Sequence, residues 1–389
     1  MKTVKTSTLP LESKTQYLQS PLFILGSASG KRVRLMQAAR AAMGLPPAHV
    51  IEWRNWLDVP DCLDKFFDHA IQSSSSQCSV LKIEPPGDDA DVQHRLINSG
   101  CALLGRAPLA AAEYGELQAG DAWFSGFADI MRKLEQVLLC HSGVKVVNAP
   151  AEILLMTDKL ACQEHLARNG IAIPQLFGTV TGYDHLRAMM AQHGVKRIFL
   201  KVRYGSSASG VLAYRMADDG REQAITTAQL ERGPHGVKIF NVKKVRQYNR
   251  HDEIVELIDL LAGQEAYAER WLQKPRTSGG HFDVRMVTLG GTPAHRVARI
   301  GRRAMTNLHL DNQRGNLAGM LDPVDIHQLE QIVEQAAATF PASHVIGFDV
   351  VPGRESAQVL EVNAFGELLP GLLWRNQDSY AAQLEALAA

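Results

Sequence analysis

The chain lacks any cysteine pair at metal or redox spacing. Its five cysteines, Cys62, Cys78, Cys101, Cys140 and Cys162, are scattered and odd in number, with no C-x-x-C among them. They read as thiols in a reducing compartment, which points to the cytoplasm. Net charge is also missing. The 41 basic and 41 acidic residues cancel, which argues against a general polyanion binder and so against a nucleic-acid partner. No apolar run reaches the length of a membrane span, and the polar stretch from Met1 to Ser20 lacks the apolar centre of a signal peptide. That segment, residues 1–20, reads as a flexible tail, with no membrane association expected. A full G-x-G-x-x-G fingerprint is absent too, as is any convincing Ser/His/Asp or Cys/His constellation. Dinucleotide chemistry and side-chain nucleophilic catalysis therefore lose their support. What remains is 389 residues at 46% hydrophobic content, enough for a large core and two or three domains.

The most informative segment is Phe199-Leu-Lys-Val-Arg-Tyr-Gly-Ser-Ser-Ala-Ser-Gly-Val211. It puts Lys201 inside a short apolar strand, where a charge needs an anionic partner, and follows it with a small-residue loop. Gly205, Ser206, Ser207, Ser209 and Gly210 can bring backbone N–H groups and hydroxyls close to phosphate oxygens. A Gly/Ser hairpin turn beside a snorkelling lysine is the plainer reading of this segment taken alone.

Near the C-terminus, Val345-Ile-Gly-Phe-Asp-Val-Val351 and Gln358-Val-Leu-Glu-Val-Asn363 read as strands joined by the turn-rich Pro352 to Ala357. Folding this hairpin about Glu355 sets Asp349 opposite Glu361, and Asn363 shares the face of Glu361. Two facing carboxylates repel and raise each other's pKa, so a hard cation such as magnesium is the natural compensation. The alternative is a polar stripe facing solvent, against which the poor strand former Asn363 counts.

Further upstream, Met156-Thr-Asp-Lys-Leu-Ala-Cys-Gln-Glu-His-Leu-Ala-Arg-Asn-Gly170 reads as a helix capped by Thr157 or Asp158 and ended by Gly170, with Pro174 beyond. Lys159 falls in the first turn, where the macrodipole disfavours a cation unless an anion lies nearby. A solvated lysine is the other reading.

Taken in order, Asn148 to Pro150, Asp158-Lys159, Gly170 to Pro174, Lys201 with its loop, Glu269-Arg-Trp-Leu272, Asp283-Val-Arg285, Arg314-Gly-Asn-Leu-Ala-Gly319, Asp349 and Glu361-Val-Asn363 resemble the ATP-grasp superfamily. The likeness runs from about residue 146 to 375. In motif style it is similar to bacterial glutathione synthetase and to the glutamate ligases that modify ribosomal protein tails. The resemblance implies an α/β (α+β) architecture: an ATP-grasp fold over residues 146–389 preceded by a Rossmann-like N-terminal domain over 21–145. A lid subdomain is expected at about 175–270 and a C-terminal metal and catalytic subdomain at about 271–375, with ATP between them.

By the same resemblance, Lys159 and Lys201 contact the ATP phosphates, and Gly205 to Gly210 form the loop over them. Glu269, Arg270, Trp271 and Leu272 form the adenine hinge. Asp349, Glu361 and Asn363 hold two magnesium ions, with manganese able to substitute. Arg285 neutralises an acyl phosphate, although an ion pair with Asp283 on the same strand face is an equal reading. The implied activity is ADP-forming ligation of a carboxylate to an amine, either of them a small molecule or a peptide, and a homo-oligomer is compatible with it. A kinase using the same nucleotide residues, or a non-catalytic ATP-binding scaffold, are the competing classes.

Between Arg285 and Asp349 the cations Arg296, Arg299, Arg302, Arg303 and Arg314 crowd a stretch with few acids. Guanidinium forks suit carboxylate and phosphate, so Arg299 and Arg314 are substrate-side candidates, while Arg302 and Arg303 fit a solvated loop. Asn316 is a candidate near the phosphates or a turn asparagine. His281 and His309 carry little. In the N-terminal part, Pro21 to Arg32 reads as a first strand, a turn and the start of a helix reaching Ala42. Asp88, Asp89 and Asp91 read as a solvated turn, Arg95, Asn98 and Ser99 as a helix start, and Trp123 to Arg132 as core packing.

Overall fold

The computed structural model describes residues 20–59, 62–73, 78–205, 209–234, 236–310, 312–353 and 356–388. Three sheets organise the chain. The first is built from β1 (Leu22–Gly26), β2 (His49–Glu52), β3 (Ser79–Ile83) and β4 (Val144–Val146), in the order β2-β1-β3-β4. All its pairings are parallel. Every residue of β1 and β3 is buried, as a parallel sheet covered on both faces requires. The covering helices are α1 (Lys31–Ala42), α2 (Trp53–Asp58), α3 (Cys62–Ser73), α4 (Ala90–Leu103) and α5 (Gly120–Cys140).

Helix α4 begins earlier than the sequence suggests. Asp89 is its N-cap, accepting from the amides of Asp91 and Val92, so Arg95, Asn98 and Ser99 lie within the helix. The acidic turn is also not simply solvated, because Asp89 takes an ion pair from Arg54 and Asp91 one from Arg95. On α5, Phe127, Met131 and Leu134 are fully buried, one apolar stripe facing the core.

After α6 (Pro150–Thr157) and α7 (Lys159–Arg168), the chain enters an antiparallel sheet. Its elements are β5 (Leu176–Val180), α8 (Tyr183–Gln192), β6 (Arg197–Val202), β7 (Val211–Met216), β8 (Glu222–Gly233), β9 (Gly236–Tyr248), α9 (His251–Ala262) and β10 (Ala266–Arg270). The strand order is β5-β10-β6-β7-β8-β9. Leu186, Met190, Ile254, Leu257 and Leu261 of its two helices pack on Ile198, Leu200, Leu212 and Tyr214, which gives this unit a core of its own.

The third sheet follows: β11 (Arg276–Thr277), β12 (Gly280–Leu289), β13 (Thr292–Gly301), β14 (Gln313–Gly315), α10 (Pro323–Ala337), β15 (Val345–Val351) and β16 (Gln358–Asn363), then α11 (Ser379–Leu387). Its order is β14-β13-β12-β15-β16, with β11 paired to β12. Phe282, Val284 and Phe348 from this sheet share one continuous core with Leu81 and Ile83 of the first. Past β16 the chain turns back on β15 so closely that a Cβ on Gly347 would lie 2.5 Å from the Cα of Gly366. Only glycines allow that approach.

Candidate nucleotide and metal site

Lys201 owes its position to the pleat of β6. Ile198, Leu200 and Val202 bury one face in the antiparallel unit's core, so Phe199 and Lys201 take the other. On the neighbouring β10, Tyr267 stands opposite Lys201 and Glu269 opposite Phe199. Lys201 Nζ reaches Glu269 Oε1 at 2.5 Å. Burial pushes the Glu269 carboxyl above its usual range, with Lys201 opposing the shift. Glu269 Oε2 is buried without a hydrogen-bond partner. Beyond it, the Trp271 and Phe199 rings meet at 5.2 Å. The Arg270 amide N–H is not available to a ligand: it donates to Gln175 O at 2.8 Å, and its guanidinium binds the Gln175 side chain.

The root of the loop after β6 is closed by Val202 N donating to Gly210 O at 3.1 Å. Gly210 has φ +65°, and a Cβ there would meet Val202 Cγ2 at 2.5 Å, so the position excludes a side chain twice over. Gly205 and Ser209 flank the loop, whereas Ser206 and Ser207 lie outside the described residues. Arg203, which carries no signal in the sequence, ties this root to α7. It binds Asp158, the N-cap of α7, through two nitrogens at 3.1 and 2.5 Å, and reaches Glu265 at 3.2 Å. Its carbonyl accepts from Lys159 N at 3.2 Å. Next to it, Tyr204 stacks on Phe124 of α5 at 4.3 Å.

The hairpin register puts Asp349 opposite Glu361 and Gly347 opposite Asn363; the turn residues 354 and 355 lie outside the described residues. Lys159 pairs with Glu361, an anion that offsets the macrodipole penalty at the start of α7. Arg285 binds Asp349 through two nitrogens, Nη2 at 3.0 Å from Oδ2. It does not pair with Asp283, because β12 and β15 align Arg285 with Asp349 and β13 aligns Arg299 with Asp283. Arg299 Nε lies 2.7 Å from Asp283 Oδ1 and its Nη2 3.0 Å from Asp349 Oδ2. Two further groups complete the network: Lys274 Nζ at 2.9 Å and Thr306 Oγ1 at 2.6 Å from Asp283 Oδ2.

Asp283, Arg299 and Asp349 are almost wholly buried. Burial alone would raise both carboxyls, but the basic partners outweigh it and hold both below the ordinary range. Lys274, Arg285 and Arg299 set three basic groups against the two acids Asp283 and Asp349. The network thus carries one positive charge in excess.

Arg314 and Asn316 stay outside this network. Arg314 lies on the edge strand β14 and donates to Pro370 O at 2.7 Å. Asn316 caps a 3-10 turn at Leu317–Gly319 through Ala318 N. Arg296 pairs with Glu330, His281 Nδ1 lies 3.3 Å from Lys274 O, and the His309 side chain lies outside the described ones.

Asp349, Glu361 and Asn363 offer two carboxylates and a carboxamide oxygen on adjacent strands, an all-oxygen set that fits magnesium. Asn363 Nδ2 is buried without a partner. Among the described residues no group of three or more His, Cys, Asp or Glu is close enough to hold an ion. A metal here would rely on Asn363 and on phosphate oxygens to complete its shell, and would compete with Lys159 and Arg285 for the carboxylates.

No family model and no curated protein matches the sequence. Solved structures do match in shape. The ATP-grasp ligase PsnB with its minimal precursor superposes with TM-score 0.52 at 13% identity, over 95% of this chain and 98% of that one. D-alanine–D-alanine ligase from Bacillus anthracis gives 0.50 at 11%, over 95% and 96%. Carboxyaminoimidazole ribonucleotide synthase from Aspergillus clavatus, solved with ATP, gives 0.50 at 15%, over 96% and 77%. The fold is the ATP-grasp fold. Its second and third sheets flank the site just described, and the parallel sheet precedes them.

Proposed function

We propose that the chain is an ATP- and magnesium-dependent carboxylate–amine ligase that releases ADP. The observation that carries this reading is the excess positive charge of the buried network around Asp349. A desolvated site with one basic group more than its acids favours an anion, and Arg285 at its edge suits a carboxylate becoming an acyl phosphate. Lys201 and Lys159 then serve the phosphates, and the strand end at Glu269 to Leu272 receives the base. The orphaned Glu269 oxygen supplies an acceptor for an exocyclic amine. Asp349, Glu361 and Asn363 would hold magnesium, which would supply charge neutralisation at the phosphate oxygens. The fold neighbour PsnB was also solved with magnesium and ADP.

In the reaction, a carboxylate oxygen attacks the γ-phosphorus and the bond to the ADP oxygen breaks. The amine then attacks the acyl carbon, phosphate leaves with the C–O electron pair, and the amine proton passes to water. Arg285 and Arg299 hold the migrating negative charge, and no protein nucleophile is needed. Hydroxylamine trapping tests this. ATP with the right carboxylate should yield hydroxamate without any amine, and Arg285→Ala should suppress it far more than it weakens ATP binding. A stable phosphoester instead would make the protein a kinase, and no ADP release with any acceptor would leave an ATP-binding scaffold.

A further inference from the structure

The two lysines proposed for the phosphates are each held by an acid of their own part of the chain. Lys201 pairs with Glu269 on the neighbouring strand of the antiparallel unit, and Lys159 pairs with Glu361 on β16. Neither pair fixes how far apart the lysines stand. Arg203 is placed to do so. Two residues beyond Lys201, it is pinned to the antiparallel unit at Glu265, whose carbonyl accepts from Arg203 N at 3.1 Å and whose carboxylate accepts from Nη1 at 3.2 Å. Its own carbonyl accepts from Lys159 N at 3.2 Å. The guanidinium then crosses to Asp158, with Nε 3.1 Å from Oδ1 and Nη2 2.5 Å from Oδ2. That is the planar two-point match of an arginine with a carboxylate, which a lysine cannot reproduce.

The contact is close to both lysines along the chain. From Lys201 to Arg203 is two residues, at most about 7 Å, and Asp158 immediately precedes Lys159. Asp158 is 6% exposed; its N–H donates to Leu154 O at 3.1 Å at the end of α6, and its Oδ1 caps α7 through Ala161 N, also at 3.1 Å. A shift of this carboxylate therefore carries the first turn of α7, and Lys159 with it. On the other side, Glu265 has φ +58°, in the left-handed region that glycine favours and other residues enter uncommonly. A glycine there would relieve the backbone but remove the carboxylate that Arg203 uses. Strain of this kind persists where the surroundings fix the geometry, as at ligand clamps. The next side chain, Tyr204, stacks on Phe124 of α5, so consecutive residues cross the same boundary.

We propose that Arg203 is a positioning residue that sets the spacing of Lys159 and Lys201 for the phosphates of a bound nucleotide, through its fork on Asp158. It touches no phosphate in this role. The inference deepens the nucleotide-site reading and rests on both lysines serving the phosphates. Two other roles lead to different outcomes. If Arg203 acted only as a cation in the field of the site, removing the anion of Asp158 would tighten ATP, while removing Arg203 would weaken it. If it only held the fold together, its effect on ATP would not depend on Lys159. As a spacer, both losses weaken ATP, because apparent affinity falls with the fraction of molecules in the competent setting.

The test is calorimetric titration of the full chain with ATP and magnesium. Arg203→Met and Asp158→Asn should each weaken ATP by about fivefold or more. Asparagine caps a helix as well as aspartate does, so the second change keeps the start of α7 and loses the charged fork. Arg203→Lys, a cation without the fork, should recover only part of the loss. With Lys159→Ala in place no pair of lysines is left to space, and adding Arg203→Met should change ATP affinity by less than about twofold. Tighter or unchanged ATP in Asp158→Asn, full recovery by Arg203→Lys, or an undiminished effect of Arg203→Met without Lys159 overturns the proposal. Should Arg203→Met fail to fold, Asp158→Asn, alone and with Lys159→Ala, decides by the same criteria. Wild-type ATP affinity in both Lys159→Ala and Lys201→Ala removes the nucleotide-site reading itself. Weakened ATP in those two, with no loss in Arg203→Met or Asp158→Asn, keeps that reading and removes only the spacer.

Discussion

Asp283→Ala is the sharpest perturbation of the network behind the candidate site. Asp283 is 1% exposed and receives Arg299 Nε at 2.7 Å, Lys274 Nζ at 2.9 Å and Thr306 Oγ1 at 2.6 Å. Without its carboxylate, Arg299 retains only Asp349, and Lys274 retains only the Thr306 hydroxyl among these partners, with little access to water. Removing one side of a buried ion pair costs about 3–5 kcal/mol, most of it the cost of a stranded charge. At about 2–4 °C per kcal/mol for a folding unit of 150–250 residues, the midpoint should fall by roughly 6–20 °C in calorimetry. The pH dependence has a definite sign. Burial would raise the Asp283 carboxyl, but Arg299 and Lys274 outweigh it and hold the folded value below the unfolded one. Its contribution is therefore complete above about pH 4, near the ordinary aspartate value, and is lost as pH falls through the folded value. The gap between wild type and variant should be full at pH 7 and shrink in acid. A loss under about 1 kcal/mol at pH 7 would refute the account of three basic groups dependent on two acids.

Lys201→Ala should weaken ATP at least tenfold by calorimetry, and adding Lys159→Ala should weaken it further, since each charge-assisted contact is worth about 1.5–3 kcal/mol; wild-type affinity in the double variant would remove both from the phosphates. Glu361→Gln, nearly isosteric, should keep the circular dichroism spectrum and melting point within a few degrees yet abolish magnesium-dependent ATP turnover, and normal turnover at limiting magnesium would reduce the hairpin to a surface stripe. Gly210→Ala forces a side chain into a φ of +65° against Val202. A cost of about 1–2 kcal/mol should appear as faster protease cleavage between residues 203 and 211, and unchanged cleavage would mean that the loop root relaxes freely.

The elements of the fold were legible wherever pattern and chemistry agreed. The hairpin register followed from where its turn residues fall, and the start of α7 from Thr157 or Asp158, of which Asp158 is the cap. Lys201 was visible because a lysine inside an apolar strand needs a partner. Lys82 carries the same signal in Ser79-Val-Leu-Lys-Ile83, but no small-residue loop follows it, and of its two partners Glu84 lies just past the strand while Glu367 is far away in sequence. The pairing of Arg285 was out of reach for a different reason. Its choice between Asp283 and Asp349 depends on which strand lies beside β12, and sheet order is not written in local periodicity. Lys274, Thr306 and Arg203 were missed likewise, since each finds its acid across a loop. Arg314 matched a crowd of arginines in sequence, but strand β14 places it at the sheet edge.

The pattern of contacts also says how the site's parts are joined. Lys201 and Glu269 both belong to the unit from β5 to β10, whose apolar core is separate. Lys159, Glu361, Asp349 and Arg285 belong to the part that shares its core with the parallel sheet. Between the two run Arg203 to Asp158, the Tyr204–Phe124 stack, Lys238 to Glu113 and Glu116, Arg303 to Val245 O, the backbone bonds Leu117 N to Ile239 O, Asn241 N to Gly115 O and Lys159 N to Arg203 O, and the packing of Leu117 on the second unit's core. Most of these are polar and partly exposed contacts, worth little individually, whereas each unit is held together by buried apolar packing. Relative motion of the units is therefore cheap compared with deformation of either. Because Lys201 rides on one unit and Lys159 on the other, such motion changes the separation of the two lysines assigned to the phosphates without breaking either core. The fold thus places the two lysines proposed for the phosphates on opposite sides of the seam between these units.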